Sequence, residues 1–264
     1  MQTEFKKGLY VPLITPILYG SFDRQSMMRL IRSVDNYVDG YVPCLSSGEG
    51  QLISNKEWRE IVKCVRSQTR KPLFPGIKRN NLREIASLER IAKELNCEGI
   101  TVPIPFKTWK KNKRYFQNLL KITTSKIIIY NTENAYISSL KNLQELDSSG
   151  RIIAIKDSSM NKKFFAQMCK ARMKGQISMR VLQGMEHQLD IPNGCDGFLV
   201  SLLNIEPALI RDMFWHPTRE TNQKILRLFW KYNLGGSWFI TLKALLLQKK
   251  IIRSAEEVRM TTKP

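Results

Sequence analysis

Arg151-Ile-Ile-Ala-Ile-Lys-Asp-Ser-Ser159 sets four consecutive apolar residues directly against a lysine. A strand with one wet face alternates apolar and polar residues, whereas a run that is apolar at every position is covered on both sides. Such strands belong to parallel sheets with helices packed against them. The same stretch leaves Lys156 at the end of an apolar strand, where a charge is hard to place. Burial disfavours an ammonium relative to the neutral amine, and an amine so placed can attack a carbonyl. The plainer reading is a lysine that opens a solvated loop, pairs with Asp157 or reaches out to water.

Working outward, similar runs recur along the chain. Gly8-Leu-Tyr-Val-Pro-Leu-Ile-Thr15, Gly40-Tyr-Val-Pro-Cys-Leu45, Pro72-Leu-Phe-Pro-Gly-Ile77 and Gly99-Ile-Thr-Val-Pro103 precede it in the first half. Lys126-Ile-Ile-Ile-Tyr-Asn131, Met179-Arg-Val-Leu-Gln-Gly184 and Gly197-Phe-Leu-Val-Ser201 complete a set of eight with Ile152–Lys156. Between them, amphipathic spacing predicts helices over 25–38, 55–68, 82–95, 113–122, 139–146 and 162–173. Strands alternating with helices satisfy the βαβ rule. The expected fold is an α/β TIM (β/α)8 barrel over residues 1–205, with a C-terminal helical segment over 206–264 broken at Gly235-Gly236. An open doubly wound sheet is the competing architecture, and it lacks its usual support: neither a Gly-x-Gly-x-x-Gly after the first run nor a Walker motif is present.

Composition agrees and narrows the function classes. A chain of 264 residues suits a single barrel of about 250 residues. No stretch approaches the roughly eighteen apolar residues of a membrane span, and no apolar segment follows the charged start of the chain, so a soluble, unprocessed cytoplasmic protein is expected. Five scattered cysteines without Cys-x-x-Cys suit a reducing compartment. With only two histidines, no metal centre is expected, nor any cofactor. The net charge of +20, from 43 Lys and Arg against 23 Asp and Glu, raises the question of nucleic acid. Its densest run, Lys107-Thr-Trp-Lys-Lys-Asn-Lys-Arg114, is short and opens a helix, and no nucleic-acid-binding signature accompanies it. A solvated basic surface that attracts anions without specificity is the expectation.

On a barrel the chemistry sits at the C-terminal ends of the strands. Ser46-Ser47-Gly48-Glu49 follows the second run, Tyr130 ends the fifth and Lys156 ends the sixth, so all share one rim. An amine that forms an imine must lose water, and a nearby phenol with a hydroxyl beside it can shuttle the proton. Each residue also has a plainer role: Tyr130 as a half-buried aromatic, Ser46 and Ser47 as turn or capping residues, Glu49 as a cap or a lysine's partner. Glu57 and Trp58 read as surface and packing residues.

The order of these motifs resembles the dihydrodipicolinate synthase and N-acetylneuraminate lyase family of class I aldolases. The resemblance rests on Val11-Pro-Leu-Ile-Thr-Pro16 with Asp23, Ser46-Ser-Gly-Glu49, Ile129-Tyr-Asn131, Ile155-Lys-Asp-Ser158, and Gly194-Cys-Asp-Gly-Phe-Leu-Val-Ser201 followed by Asn204. It implies a homo-oligomer, tetramer or dimer, in which Lys156 forms an imine with pyruvate or another 2-oxo acid. Tyr130 would donate and accept protons, Ser46 and Ser47 would hold the carboxylate, and Ser47 would relay protons. Gly184, Glu186 and Val200 would also contact substrate.

Three departures bear on the second substrate. Ala135 stands where the synthase branch carries an arginine for the aldehyde's carboxylate; Phe106 is nearest to a tyrosine lent by a neighbouring subunit; and Leu202-Leu203 is apolar where the lyase branch is polar. Lys107 is one candidate for the missing cation. The implied activity is a pyruvate-dependent aldolase or lyase, synthase-like with an altered site for an aldehyde or sugar acid. An N-acetylneuraminate or 2-keto-3-deoxy sugar acid lyase is the alternative within that chemistry. A catalytically inactive basic binding or regulatory barrel is the alternative outside it.

Overall fold

The computed structural model describes residues 5–190, 194–236 and 238–259; Ser237 and residues 260–264 of the expected C-terminal segment lie outside the described residues. Its strands are β1 (Gly8–Val11), a small antiparallel hairpin of β2 (Ile17–Leu18) and β3 (Ser21–Phe22), then β4 (Gly40–Tyr41), β5 (Gly99–Pro103), β6 (Lys126–Thr132), β7 (Ile152–Ser158), β8 (Arg180–Gln183) and β9 (Gly197–Phe198). Apart from the hairpin they form one parallel sheet in the order β4-β1-β9-β8-β7-β6-β5. The run at 72–77 closes it. Leu73 bridges to Tyr41 of β4 and Gly76 to Thr101 of β5, both parallel, so this segment joins the two edges into a barrel.

The regular strands are shorter than the apolar runs, and proline is the reason. Pro12, Pro43 and Pro75 have no N–H to donate, so the ladder is interrupted where each falls. Carbonyls on the same segments still accept: Tyr41 N donates to Pro72 O at 2.9 Å, Gly76 N to Pro43 O at 2.8 Å and Thr101 N to Pro75 O at 2.9 Å.

Helices fill most crossovers: α1 (Arg24–Val34), α2 (Asn55–Gln68), α3 (Leu82–Glu94), α4 (Trp109–Ile122), α5 (Leu140–Asp147) and α6 (Lys162–Met173). The α2 start is locally encoded by a capping box, in which Ser54 Oγ accepts from Glu57 N and the Glu57 carboxylate accepts from Ser54 N. Trp58 is fully buried behind it, donating its indole N–H to Gly76 O at 2.8 Å, which ties α2 to the closing segment. Among the described residues between β8 and β9 there is no full helix but a 3-10 turn, Glu186–Gln188. After β9 come the turn Ser201–Asn204 and helices α7 (Pro207–Trp215), α8 (Arg219–Lys231) and α9 (Trp238–Gln248). No helix among the described residues is long and apolar enough to cross a membrane.

Strand alternation divides the core into two layers. Tyr10, Val42, Phe74, Ile128, Tyr130, Ala154, Leu182 and Leu199 pack together inside the barrel. Their neighbours Leu9, Val11, Tyr41, Leu73, Ile127, Ile129, Ile155, Val181 and Val200 pack outward beneath the helices. This parity decides which residues can reach the mouth of the barrel and which cannot.

Candidate active site

Because β6 and β7 pair in register, Tyr130 stands directly opposite Lys156. Both belong to the inward set, one step beyond Ile128 and Ala154, so they close the barrel interior at its C-terminal end. The Lys156 ammonium nitrogen lies 4.2 Å from the centroid of the Tyr130 ring. Lys156 is only 5% exposed and Tyr130 8%, yet both open onto a cleft of about 570 Å³. Lys156 forms no loop and makes no pair with Asp157, whose carboxylate instead takes a hydrogen bond from Asn131 Nδ2 at 2.6 Å and one from Ser159 Oγ at 3.2 Å. Burial pushes the Asp157 carboxyl up to about 6, against the lowering effect of those donors.

Gly184 at the end of β8 makes room for the lysine. A methyl group there would sit 2.7 Å from Lys156 Cε and 2.2 Å from Ser158 Oγ. The Ser158 hydroxyl is buried, lines the cleft and has no hydrogen-bond partner among the described residues.

The two serines arrive on the tight turn after β4. Gly48 N and Gly50 N both donate to Leu45 O, at 3.1 and 3.0 Å, and Glu49 takes a left-handed φ of 56°. Gly50 is obligatory, because a methyl there would fall 1.8 Å from Cys44 O. Ser46 and Ser47 line the cleft, and Ser47 Oγ accepts from the indole nitrogen of Trp238 at 3.3 Å. Glu49 points away from the cleft and is fully buried. One carboxylate oxygen faces the Lys243 ammonium and the other accepts from Val258 N at 2.7 Å. Lys243, also fully buried, donates to Glu256 O at 2.6 Å, and desolvation holds its ammonium below the usual lysine range despite Glu49. Helix α9 therefore supports the serine turn at two points.

This pairing of a buried amine with a phenol and two hydroxyls at the mouth of a parallel barrel can be compared with known proteins. The profile of the dihydrodipicolinate synthetase family matches residues 5–259. The chain belongs to this family. Its members are lyases of the Schiff-base aldolase type.

The 4-hydroxy-tetrahydrodipicolinate synthase of Magnetococcus marinus is 23% identical over 239 residues, covering 84% of this chain and 81% of that protein. That of Parvibaculum lavamentivorans is 26% identical over 163 residues, covering 59% of this chain and 56% of that protein's length. Among solved structures, the dihydrodipicolinate synthase of Bacteroides thetaiotaomicron superposes with a TM-score of 0.86 at 20% identity, covering 97% of this chain and 93% of that one. The 2-keto 3-deoxygluconate aldolase of Picrophilus torridus gives 0.81 at 21% identity, with 94% of each chain covered. These likenesses establish the family fold, a TIM barrel.

Within this family fold, the cleft gathers Lys156, Tyr130, Ser46, Ser47, Gly184 and Glu186. Glu186 is largely occupied already. One of its carboxylate oxygens accepts from Ser201 N at 2.7 Å, Ser201 Oγ at 2.6 Å and Leu202 N at 3.0 Å, capping the turn after β9. The side chain of Val200 is not brought to the cleft: Leu199 packs inside the barrel, so alternation turns Val200 beneath the helices, and Ser201 is the residue that lines the opening. Lys107 and Phe106 are exposed and lie outside the lining. Tyr115 on α4 packs edge-on to Phe106, lines the cleft and has its phenol held above its ordinary pKa by burial.

The sequence reading did not single out Lys78, Tyr115 or Trp238. Only Lys78 carries a local signal, since it directly follows the third apolar run. Trp238 reaches Ser47 across 191 residues of chain, beyond any local pattern. Among the described residues no group of three or more His, Cys, Asp or Glu side chains is placed to hold a metal ion.

Proposed function

We propose that this protein makes or breaks a carbon–carbon bond through an imine between Lys156 and pyruvate or a related 2-oxo acid. The observation that carries the reading is the buried Lys156 amine at the barrel mouth, 4.2 Å from the Tyr130 ring. The amine adds to the 2-oxo carbon, and the resulting hydroxyl leaves as water with a proton from the Tyr130 phenol, delivered through Ser47. Trp238 N–H fills one lone pair of Ser47 Oγ, which leaves the serine proton free to pass on. Ser46 and Ser47 hold the carboxylate. Loss of a proton from the adjacent carbon gives an enamine, which attacks the carbonyl carbon of an aldehyde while its oxygen takes up a proton. Water then releases the product and restores the amine; the reverse sequence is cleavage.

Gly184 admits the lysine, and Ser158 offers an unpartnered hydroxyl to a polar second substrate. Ala135 lines the cleft without a charge, so this reading is of an altered second-substrate site. An N-acetylneuraminate or 2-keto-3-deoxy sugar acid lyase is the variant favoured by the Ser158 hydroxyl. With this reading goes a cytoplasmic homo-oligomer, dimer or tetramer, with its catalytic residues in 1–205 and a helical segment, 206–264, that supports them.

Borohydride reduction in the presence of pyruvate tests the imine. Intact-mass analysis is expected to find one reduced pyruvate adduct per chain, located on Lys156 by peptide mapping and lost in Lys156→Ala. An adduct that persists in Lys156→Ala, or none in the wild type, refutes the mechanism and leaves the non-catalytic basic barrel as the reading of this fold and charge.

A further inference from the structure

Lys78 is an exposed lysine on the lining of the cleft. It follows the closing segment 72–77, lines the same cleft as Lys156 and Tyr130, and its ammonium makes no hydrogen bond or ion pair among the described residues. The neighbouring Arg79 is fully engaged. Its guanidinium donates to Gly50 O at 2.8 Å, Ile53 O at 2.6 Å and Asn55 Oδ1 at 3.2 Å, and pairs with Glu84 at 3.1 Å. Arg79 Nη1 also donates to Lys78 O at 3.0 Å, while Ile77 N donates to Thr101 O at 2.8 Å. The backbone on both sides of Lys78 is thus tied down, which lowers the entropy lost when its side chain engages a ligand.

Two carboxylates share the lining, Glu133 and Glu186. The Glu186 carboxylate caps the Ser201 turn. Glu133 is exposed to solvent at the cleft's edge. Glu133 follows β6, which stands two places from segment 72–77 in the barrel order, and no ion pair joins it to Lys78 among the described residues. An iminium on Lys156 would be balanced by the carboxylate of its own 2-oxo acid. Lys78 therefore offers the cleft an ammonium that is not tied to any carboxylate among the described residues.

We propose that Lys78 determines second-substrate specificity by binding an anionic end group, carboxylate or phosphate, on the aldehyde. The inference rests on the imine reading above and assigns the role that Ala135 cannot fill. The ammonium is a compact donor with three protons, suited to either oxyanion as a point charge.

The test uses the full chain, pyruvate and three aldehydes: neutral glyceraldehyde, succinic semialdehyde with a carboxylate, and glyceraldehyde 3-phosphate. Wild type is expected to favour one or both anionic aldehydes in kcat/KM, the larger preference naming the group. Lys78→Gln is expected to lose about 10- to 100-fold with the anionic aldehyde, the range of a charge-assisted hydrogen bond. It should stay within about twofold on glyceraldehyde, and Lys78→Arg should restore most of the loss. Borohydride trapping of pyruvate separates the two readings, because Lys78→Gln is expected to trap like wild type. If the adduct forms but wild type shows no anionic preference, or Lys78→Gln affects neutral and anionic aldehydes equally, the Lys78 assignment falls while the imine stands. If no adduct forms, both fall.

Discussion

Replacing Gly184 with alanine crowds the proposed nucleophile without altering its own side chain. The added methyl would lie 2.7 Å from Lys156 Cε and 2.8 Å from Asp157 O, and 2.2 Å from Ser158 Oγ. Ser158 can rotate away, since its hydroxyl holds no partner among the described residues, but the Asp157 carbonyl is backbone and cannot. Ordinary contact begins near 3.4 Å, so Lys156 Cε must withdraw by about 0.7 Å. A misplacement of about 1 Å at a reacting atom costs on the order of 100-fold in rate. A shift of this size then predicts a loss of roughly 20- to 30-fold in the rate of pyruvate trapping. The same crowding costs about 1–3 kcal/mol of stability as an overpacked core. Rapid-quench borohydride trapping gives the rate and urea unfolding gives the stability. A Gly184→Ala protein that is measurably less stable yet traps pyruvate at the wild-type rate would show that the lysine's position is not what limits imine formation. The steric argument would then be wrong.

Two further outcomes follow from the surroundings of the cleft. Trp238→Phe keeps the ring in place but removes the donor to Ser47; losing one neutral hydrogen bond of about 0.5–1.5 kcal/mol predicts a two- to tenfold fall in kcat, with the pyruvate adduct still formed. An unchanged kcat would exclude a role for Trp238 in orienting Ser47. Asp157 supplies a pH signature. Its carboxyl is raised by burial from 3.8 to about 6, so its contribution to stability is fully present below about 4 and is lost as the pH rises through about 6, a change of about 3 kcal/mol. Asp157→Asn should flatten that part of the stability–pH curve, measured by urea unfolding between pH 4 and 7; a wild-type slope in the variant would refute the assignment.

Much of the barrel is legible because its strands are built on near-continuous apolar runs, a pattern that neither loops nor half-wet sheets produce. Helices α2 and α6 begin and end where the amphipathic spacing places them, whereas α4 starts at Trp109 rather than Lys113 because polar residues of its first turn carry no apolar periodicity. The β2–β3 hairpin is missed since its arms are too short to show alternation. Lys156 and Tyr130 are readable from strand ends, and their parity follows from the pleat. Glu186 and Val200 are harder: the first is engaged by a turn that the sequence does not announce, and the second faces the helices by alternation from Leu199. Lys78 has only the weak signal of following the third apolar run. Only closure of the barrel puts it on the same cleft as the amine.

The support given to the serine turn by α9 has a consequence for how the protein is made. Ser47 and Glu49 leave the ribosome early, yet their partners Trp238, Lys243 and Val258 come 191 residues and more behind them. A nascent chain can lay down all eight parallel segments and the Lys156 amine while Glu49 still lacks its counter-ion. On this view α9 completes the site: a chain cut short before Trp238 would carry Lys156 without the donor to Ser47 or the counter-ion of Glu49, so the proposed imine chemistry would wait for the whole fold.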